Sequence, residues 1–190
     1  SYFILFSQIS LANDDFVMLG SRANPRTVLE SSVPIDVISN AELSSLGITE
    51  TGRLIQMLSA SFNYSTSTIS DGTDVIRPGT LRGLGPDQIL VLINSKRLHN
   101  SALIHVNGSV GRGTAGIDFS SIPVGAIESI EILRDGAAAQ YGSDAIAGVI
   151  NIVLNESVNE LSVAVTTGAH FSSNSNSQTG GSDGQTTNIS

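Results

Sequence analysis

The uninterrupted apolar run at residues 89–93 narrows the fold more than any other feature of the chain. It is bounded by the turn signals Gly85-Pro86-Asp87 and Asn94-Ser95. A strand that is apolar on both sides leaves no face for water, so this run suits a strand covered on both faces. A second run, Val149-Ile150-Asn151-Ile152-Val153-Leu154, predicts another buried strand. Between them, residues 127–133 predict a strand in which Glu128 and Glu131 stand among Ile130, Ile132 and Leu133. Asn94-Ser95 turns the chain into Lys96, Arg97 and Leu98 as a hairpin, with Ser95 where Gly would be the easier residue. Residues 80–84 read as extended and 103–106 as strand-like. The helical signals are short. Ser39 followed by Glu42 is a capping-box spacing for a helix that stops at Gly47. Leu54, Ile55 and Leu58 give one apolar face to a helix over 50–59. Asp135 can cap a helix over 136–141 that Gly142 closes. Short helices between unlike strands and hairpins predict an α+β domain, not a regular βαβ alternation.

Composition bounds the function. The 190 residues suffice for one domain with a real core. Seventeen acidic against nine basic side chains argue against a nucleic-acid or anionic-membrane surface. Lys96 is the sole lysine, which excludes a GxxxxGK[ST] phosphate loop and a Schiff base elsewhere. With no Cys, disulfides, thiolate zinc sites and cysteine nucleophiles are excluded. The apolar stretch 2–12 is too short to span a bilayer. It suits the end of a signal-peptide core, with Ser10 and Ala12 as the small residues of a cleavage site, so residues 1–12 are expected to be a clipped signal. At the other end Leu161, Val163 and Val165 alternate with polar residues as a half-buried strand does. From Gly168 onward Ser, Asn, Gly, Gln and Thr dominate, which predicts a long loop or disordered tail.

Motifs for catalysis and cofactors are weak. Residues 111–116 match GxGxxG, but only 117–122 separate them from Pro123. That leaves no room for the helix whose N-terminus would hold a pyrophosphate, so a Gly-rich surface loop is the better reading. His99, His105 and His170 stand in no HExxH or i, i+4 frame, and Asp71 and Asp74 lack the other ligands of a calcium loop. No GxSxG occurs. Nothing here supports an enzyme, a metal site or a cofactor. Charge placed against apolar strands stands out instead. Arg82 adjoins the first buried segment, and Arg134 ends the strand that carries Glu128 and Glu131. A buried guanidinium needs a carboxylate or carbonyl partner. Either these arginines snorkel to water at strand ends, or they pair with a part of the molecule outside this sequence.

The motifs together resemble a known family. Leu81-Arg82-Gly83-Leu84-Gly85-Pro86-Asp87 running into 88–94 resembles the "RGLG…LVLING" segment of TonB-dependent outer-membrane receptors. Residues 126–134 resemble their "AIERIEVLR", and Tyr141-Gly142-Ser143-Asp144-Ala145-Ile146-Ala147-Gly148-Val149-Ile150-Asn151-Ile152 their "YGSDAIAGVINI". The resemblance covers residues 33–155 in order, with Gly83, Gly85, Tyr141, Gly142, Gly148 and Asn151 as motif positions.

This resemblance implies a plug, a small α+β domain with a mixed β-sheet and short helices. The family lodges it in a 22-stranded outer-membrane β-barrel, where it occludes the pore and helps bind a scarce small-molecule ligand. The inner-membrane TonB protein, driven by the proton-motive force, pulls on a short N-terminal TonB box. Asp14-Asp15-Phe16-Val17-Met18-Leu19-Gly20-Ser21-Arg22 is similar to the "E-x-x-V-V-T-G-S-R" form of that box, with departures at Phe16, Met18 and Leu19. The box is thus expected at Asp15, Phe16, Val17, Met18, Leu19 and Gly20. The family's two plug arginines pair with barrel-wall glutamates, which assigns plug–barrel anchoring to Arg82 and Arg134, with Glu128 and Glu131 beside them. Asp135 stands where many members have Gly and is a competitor for Arg134. Residues 13–32 then form the box and linker, 33–155 the plug, and 156–190 the first barrel strand and its loop. Such a barrel needs on the order of 220 residues before loops, so the chain is expected to be an N-terminal fragment. An outer-membrane transporter, periplasmic at its N-terminus, is the reading that follows. A free-standing exported binding module with a plug-like fold is the alternative.

Overall fold

The computed structural model describes residues 16–17, 19, 26–27, 34–66, 72–106, 108–134, 137–156, 165–172 and 181–189. The expected signal at 1–12 lies outside them, as do Asp15, Met18, Gly20 and Asp135. In chain order the strands are β1 (Phe16–Val17), β2 (Arg26–Thr27), β3 (Ile35–Ser39), β4 (Phe62–Tyr64), β5 (Gly79–Leu81), β6 (Ile89–Ile93), β7 (Lys96–Arg97), β8 (Ile127–Leu133), β9 (Gly148–Leu154), β10 (Val165–Ser172) and β11 (Gly181–Ile189). Helices α1 (Asn40–Ser45) and α2 (Thr51–Leu58) follow β3, and α3 (Ala137–Tyr141) lies between β8 and β9.

A five-stranded mixed sheet in the order β3-β8-β9-β6-β7 organises the domain. Only β6 and β9 pair in parallel; the other neighbours are antiparallel. The sheet is covered on both faces, which explains the uninterrupted apolar runs. Ile89 and Val91, Ile130 and Ile132, and Ile150 and Ile152 belong to the larger cluster, with Leu54 and Ile55 of α2 and the aromatic residues Phe62, Tyr64 and Phe119. Phe119 meets Phe62 edge-on with ring centres 5.4 Å apart, and Tyr64 at 6.3 Å. Their intervening neighbours Leu90, Leu92, Leu133 and Val149 form the second cluster, with Ala137, Ala145 and Leu19. Single strands thus feed two cores, the period-2 consequence of the pleat.

Local signals decide the ends of these elements. The Ser39–Glu42 capping box is formed, with Ser39 N–H donating to the Glu42 carboxylate at 2.9 Å, and Gly47 ends the helix at φ +61°. The expected 50–59 helix is α2, capped by Glu50 and Ser59. The hairpin at Asn94-Ser95 forms with both residues left-handed, φ +47° and +64°. Three expectations need correction. Residues 80–84 are not extended throughout, because Arg82 and Gly83 take left-handed φ of +56° and +75° and fold Leu84 back onto Leu81. Residues 103–106 join no strand; His105 is held by Thr114 and Gly113 across an irregular loop. The polar stretch beyond 168 is not wholly irregular, since β10 and β11 pair antiparallel, with a bulge between Ala169 and His170.

Gly148 is the position least open to change. It opens β9 at φ +147°, and a Cβ there would sit 2.5 Å from the Leu133 carbonyl oxygen and 2.7 Å from Leu81 Cδ2. The backbone neighbour cannot swing away as a side chain can. Gly148→Ala is expected to lower stability by about 3 kcal/mol, measured by urea unfolding; a loss within experimental error contradicts the close approach.

Candidate functional site

The conspicuous polar chemistry of the plug lies on the second sheet face and at the strand ends beside it. Glu131 faces Asn151 across the β8–β9 ladder, and both are buried, at 1% and 0% exposure. Asn151 Nδ2 donates to Glu131 Oε2 at 3.0 Å, and the Leu19 N–H donates to the same oxygen at 3.1 Å. On its other side Asn151 Oδ1 accepts from the Ser95 N–H at 2.9 Å. Both ends of the Asn151 amide are therefore used, which fixes its orientation. Glu131 was expected beside Glu128 as an anchoring group. The structure separates them: three residues apart, they face opposite sides of the pleat, and the bulge between Ile127 and Ser129 lets Ile127, not Glu128, join Ile130 and Ile132 in the larger cluster. Glu128 is left exposed, and Glu131 is turned into the plug.

Of the expected box residues, Phe16 and Val17 form β1 and pair antiparallel with Thr27 and Arg26 of β2. Leu19, two residues beyond, is fully buried in the second cluster. The β1–β2 ladder thus folds the N-terminal segment on itself, and Leu19 docks it on the plug through its side chain and its N–H to the buried carboxylate.

The two arginines are brought together at one edge. Arg82 Nη1 donates to the Arg134 carbonyl at 2.6 Å, and the left-handed φ of Arg82 turns it toward that strand end. Arg134 itself forms an ion pair with Asp36 of β3, each side chain 41% exposed. The sequence pointed to Asp135 as the competitor for Arg134. Asp135 lies outside the described residues; among those described, Asp36, which the antiparallel register carries to the end of β8, pairs with Arg134. The motif around Tyr141 is held by Arg97, which pairs with Asp144 at 2.5 Å and donates to the Tyr141 carbonyl. The hydrogen bond from Arg97 keeps the Asp144 carboxyl below the usual carboxylate range. Gly142, at φ +98°, makes the turn between them, while Gly83 and Gly85 flank the turn at Leu84.

Two loops pack on each other away from these arginines. His105 is fully buried, and its Nδ1 lies 3.2 Å from Thr73 Oγ1, tying residues 72–76 to 98–118. Gly72 sits against Leu103, where an added Cβ would come within 2.8 Å of its side chain. Val75, Ile104, Val106 and Val110 are exposed apolar residues of the same loops. The GxGxxG stretch is part of this pair, with Gly111 and Gly113 left-handed and no helix starting from it. An open cleft of about 330 Å³ lies beside it, lined by Leu98, His99, Ser101 and Asp118 among others.

Burial holds the His105 pKa below its ordinary 6.5, so the folded chain keeps the ring neutral where the unfolded chain has begun to protonate. As pH falls through 6.5 the unfolded state gains the proton first, and stability declines until the lowered folded pKa is passed. Part of the stability lost between about pH 7 and about pH 5 should therefore disappear in His105→Gln, which does not titrate. Thermal unfolding at both pH values checks this; an identical loss in variant and parent contradicts it.

These elements have counterparts among known proteins. The family model of the TonB-dependent Receptor Plug Domain matches residues 27–149. A probable TonB-dependent siderophore receptor, PirA of Acinetobacter baumannii, is 31% identical over 134 residues, covering 70% of this chain and 17% of its own length. The vitamin B12 transporter BtuB of Photobacterium profundum is 30% identical over 180 residues, 95% of this chain and 25% of its own. Among solved structures, a mutant ferric enterobactin receptor, PfeA of Pseudomonas aeruginosa, in complex with enterobactin, is similar at a TM-score of 0.52. It is 23% identical and covers 71% of this chain and 19% of that one, a likeness of fold. The chain spans a quarter or less of the length of these curated relatives. The mixed sheet with short helices, the motif turns and the match over residues 27–149 lead to one conclusion: the chain belongs to the TonB-dependent receptor plug domain family.

Proposed function

We propose that this chain is the plug and energy-coupling region of a TonB-dependent active transporter in the outer membrane, serving a scarce ligand of the siderophore, cobalamin or oligosaccharide class. The observation that carries the reading is the plug-family match over residues 27–149, with a lightly held segment just before it. Siderophore and vitamin B12 proteins among the relatives support the ligand class. On this reading residues 13–32 are the box and linker, 33–155 fill the barrel and 156–190 begin its wall. The antiparallel β10 and β11, eight and nine residues long, are close to the ~9–11 residues of a tilted barrel strand.

The physics of coupling follows from the placement of β1. A two-residue ladder is a weak hold, and its main-chain groups can pair instead with the sheet edge of the inner-membrane TonB protein. Such pairing is carried by backbone hydrogen bonds, so it tolerates the departures at Phe16, Met18 and Leu19. Arg82 and Arg134 are the plug's cations for barrel-wall carboxylates. A guanidinium has five donors, so Arg134 can keep Asp36 while bonding a wall glutamate.

Proline at position 17 removes one main-chain donor and resists strand addition. Val17→Pro is expected to abolish energised uptake of radioiron-loaded siderophores or labelled cobalamin while leaving their binding to cells intact. Uptake at the parental rate contradicts the box assignment.

A further inference from the structure

We propose that Glu131 and Asn151 form a buried clasp for the N-terminal segment, and that a pull on the segment is delivered first to this clasp in the middle of the sheet. The proposal rests on the reading of residues 15–20 as the coupling segment and goes beyond it, because it names the groups that hold that segment docked. Glu131 is thereby a positioning residue for coupling, acting through Leu19.

Three observations converge. The carboxylate is almost wholly buried among Leu19, Leu90, Leu92, Leu133 and Val149, where an apolar residue would pack without desolvation cost. Neighbouring ladder positions follow that simpler solution, since Ile132 faces Ile150 and Leu133 faces Val149. Replacing a buried polar group by a well-packed apolar one is often neutral or stabilising, so stability alone does not account for Glu131. Second, two of its donors differ in kind. Asn151 belongs to the central strand β9, whereas the Leu19 N–H lies 112 residues away in sequence, on the N-terminal segment that carries β1. Third, the line does not stop at Asn151, whose Oδ1 accepts from Ser95 N–H in the β6–β7 hairpin. One chain of hydrogen bonds therefore runs from Leu19 across β8 and β9 to the far edge of the sheet.

Withdrawal of Leu19 has a defined consequence. It removes the apolar lid and one donor together, so the buried carboxylate loses a hydrogen bond. Water admitted where Leu19 had packed replaces the lost donor, since a buried acceptor that loses a partner is costly to leave unmet. Hydration then begins between β8 and β9, the strands that carry both motif segments, and not at the rim of the plug.

The test uses the complete polypeptide expressed in cells, with Leu19→Cys as a reporter and Ala147→Cys, fully buried in the larger cluster, as a reference for intact folding. Glu131→Leu keeps the volume but removes the oxygen to which both N–H groups donate. It is expected to raise the maleimide labelling rate at position 19 by about tenfold while position 147 stays protected. Capture by the purified periplasmic domain of TonB, without transport ligand, is expected to tighten by a similar factor, because the binding-competent fraction rises. An unchanged labelling rate at position 19 overturns the clasp, whatever uptake does. Faster labelling without tighter capture upholds the clasp and counts instead against the coupling reading. Where Glu131→Leu also exposes position 147, amide exchange of the unaltered protein decides. A Leu19 N–H protected at least as well as the β1–β2 ladder supports the clasp, and exchange at the rate of an unstructured amide overturns it.

Discussion

The sheet is covered on both faces, and most of the plug's chemistry follows from that constraint. A strand with water on one side can carry polar residues at every second position at no cost. Over 130–133 of β8 and 148–152 of β9 there is no such side, so each polar group there must find its partner inside the protein. Glu131 and Asn151 solve this for one another, and the solution is completed by two main-chain donors from outside the pair, Leu19 and Ser95. Two fully buried polar groups are thereby linked to the N-terminal segment.

The same constraint shapes the strand ends. With the faces taken, the other charges around the sheet gather at strand ends and turns. Arg82 and Arg134 meet at one such end, Arg82 through a left-handed turn and Arg134 through its ion pair with Asp36. Arg97 plays the corresponding part for the turn at Tyr141 and Asp144. These exposed pairs contribute little to stability. Their role is geometric, holding turns whose glycines leave the backbone otherwise free to choose among conformations.

Much of the fold was legible from local rules. The apolar run at 89–93, the capping box at Ser39 and Glu42, the face of Leu54, Ile55 and Leu58, and the Asn94-Ser95 turn all announce elements that formed. Where the reading failed, a non-local contact had overruled a local preference. Residues 80–84 look extended by composition, but Leu84 folds back to bridge Leu81. Residues 103–106 alternate as a strand does, yet packing of His105 on Thr73 and of Leu103 on Gly72 claims them for a loop. The polar residues beyond 168 have no apolar pattern to announce pairing, and β10 and β11 find each other through their backbones.

The sequence by itself determined the α+β class, the buried strands and the family, because these depend on periodicity, turn chemistry and motifs that lie close together in the chain. It also marked Arg82 and Arg134 as charges in need of partners, and Asn151 as a polar residue in an apolar run. Tertiary structure alone decided which partner each received. Asp36 reaches Arg134 through strand register, a bulge puts Ile127 in the core in place of Glu128, and Leu19 meets Glu131 across 112 residues. Register, bulges and long-range docking are settled by how whole faces pack, and no short window of sequence contains that information.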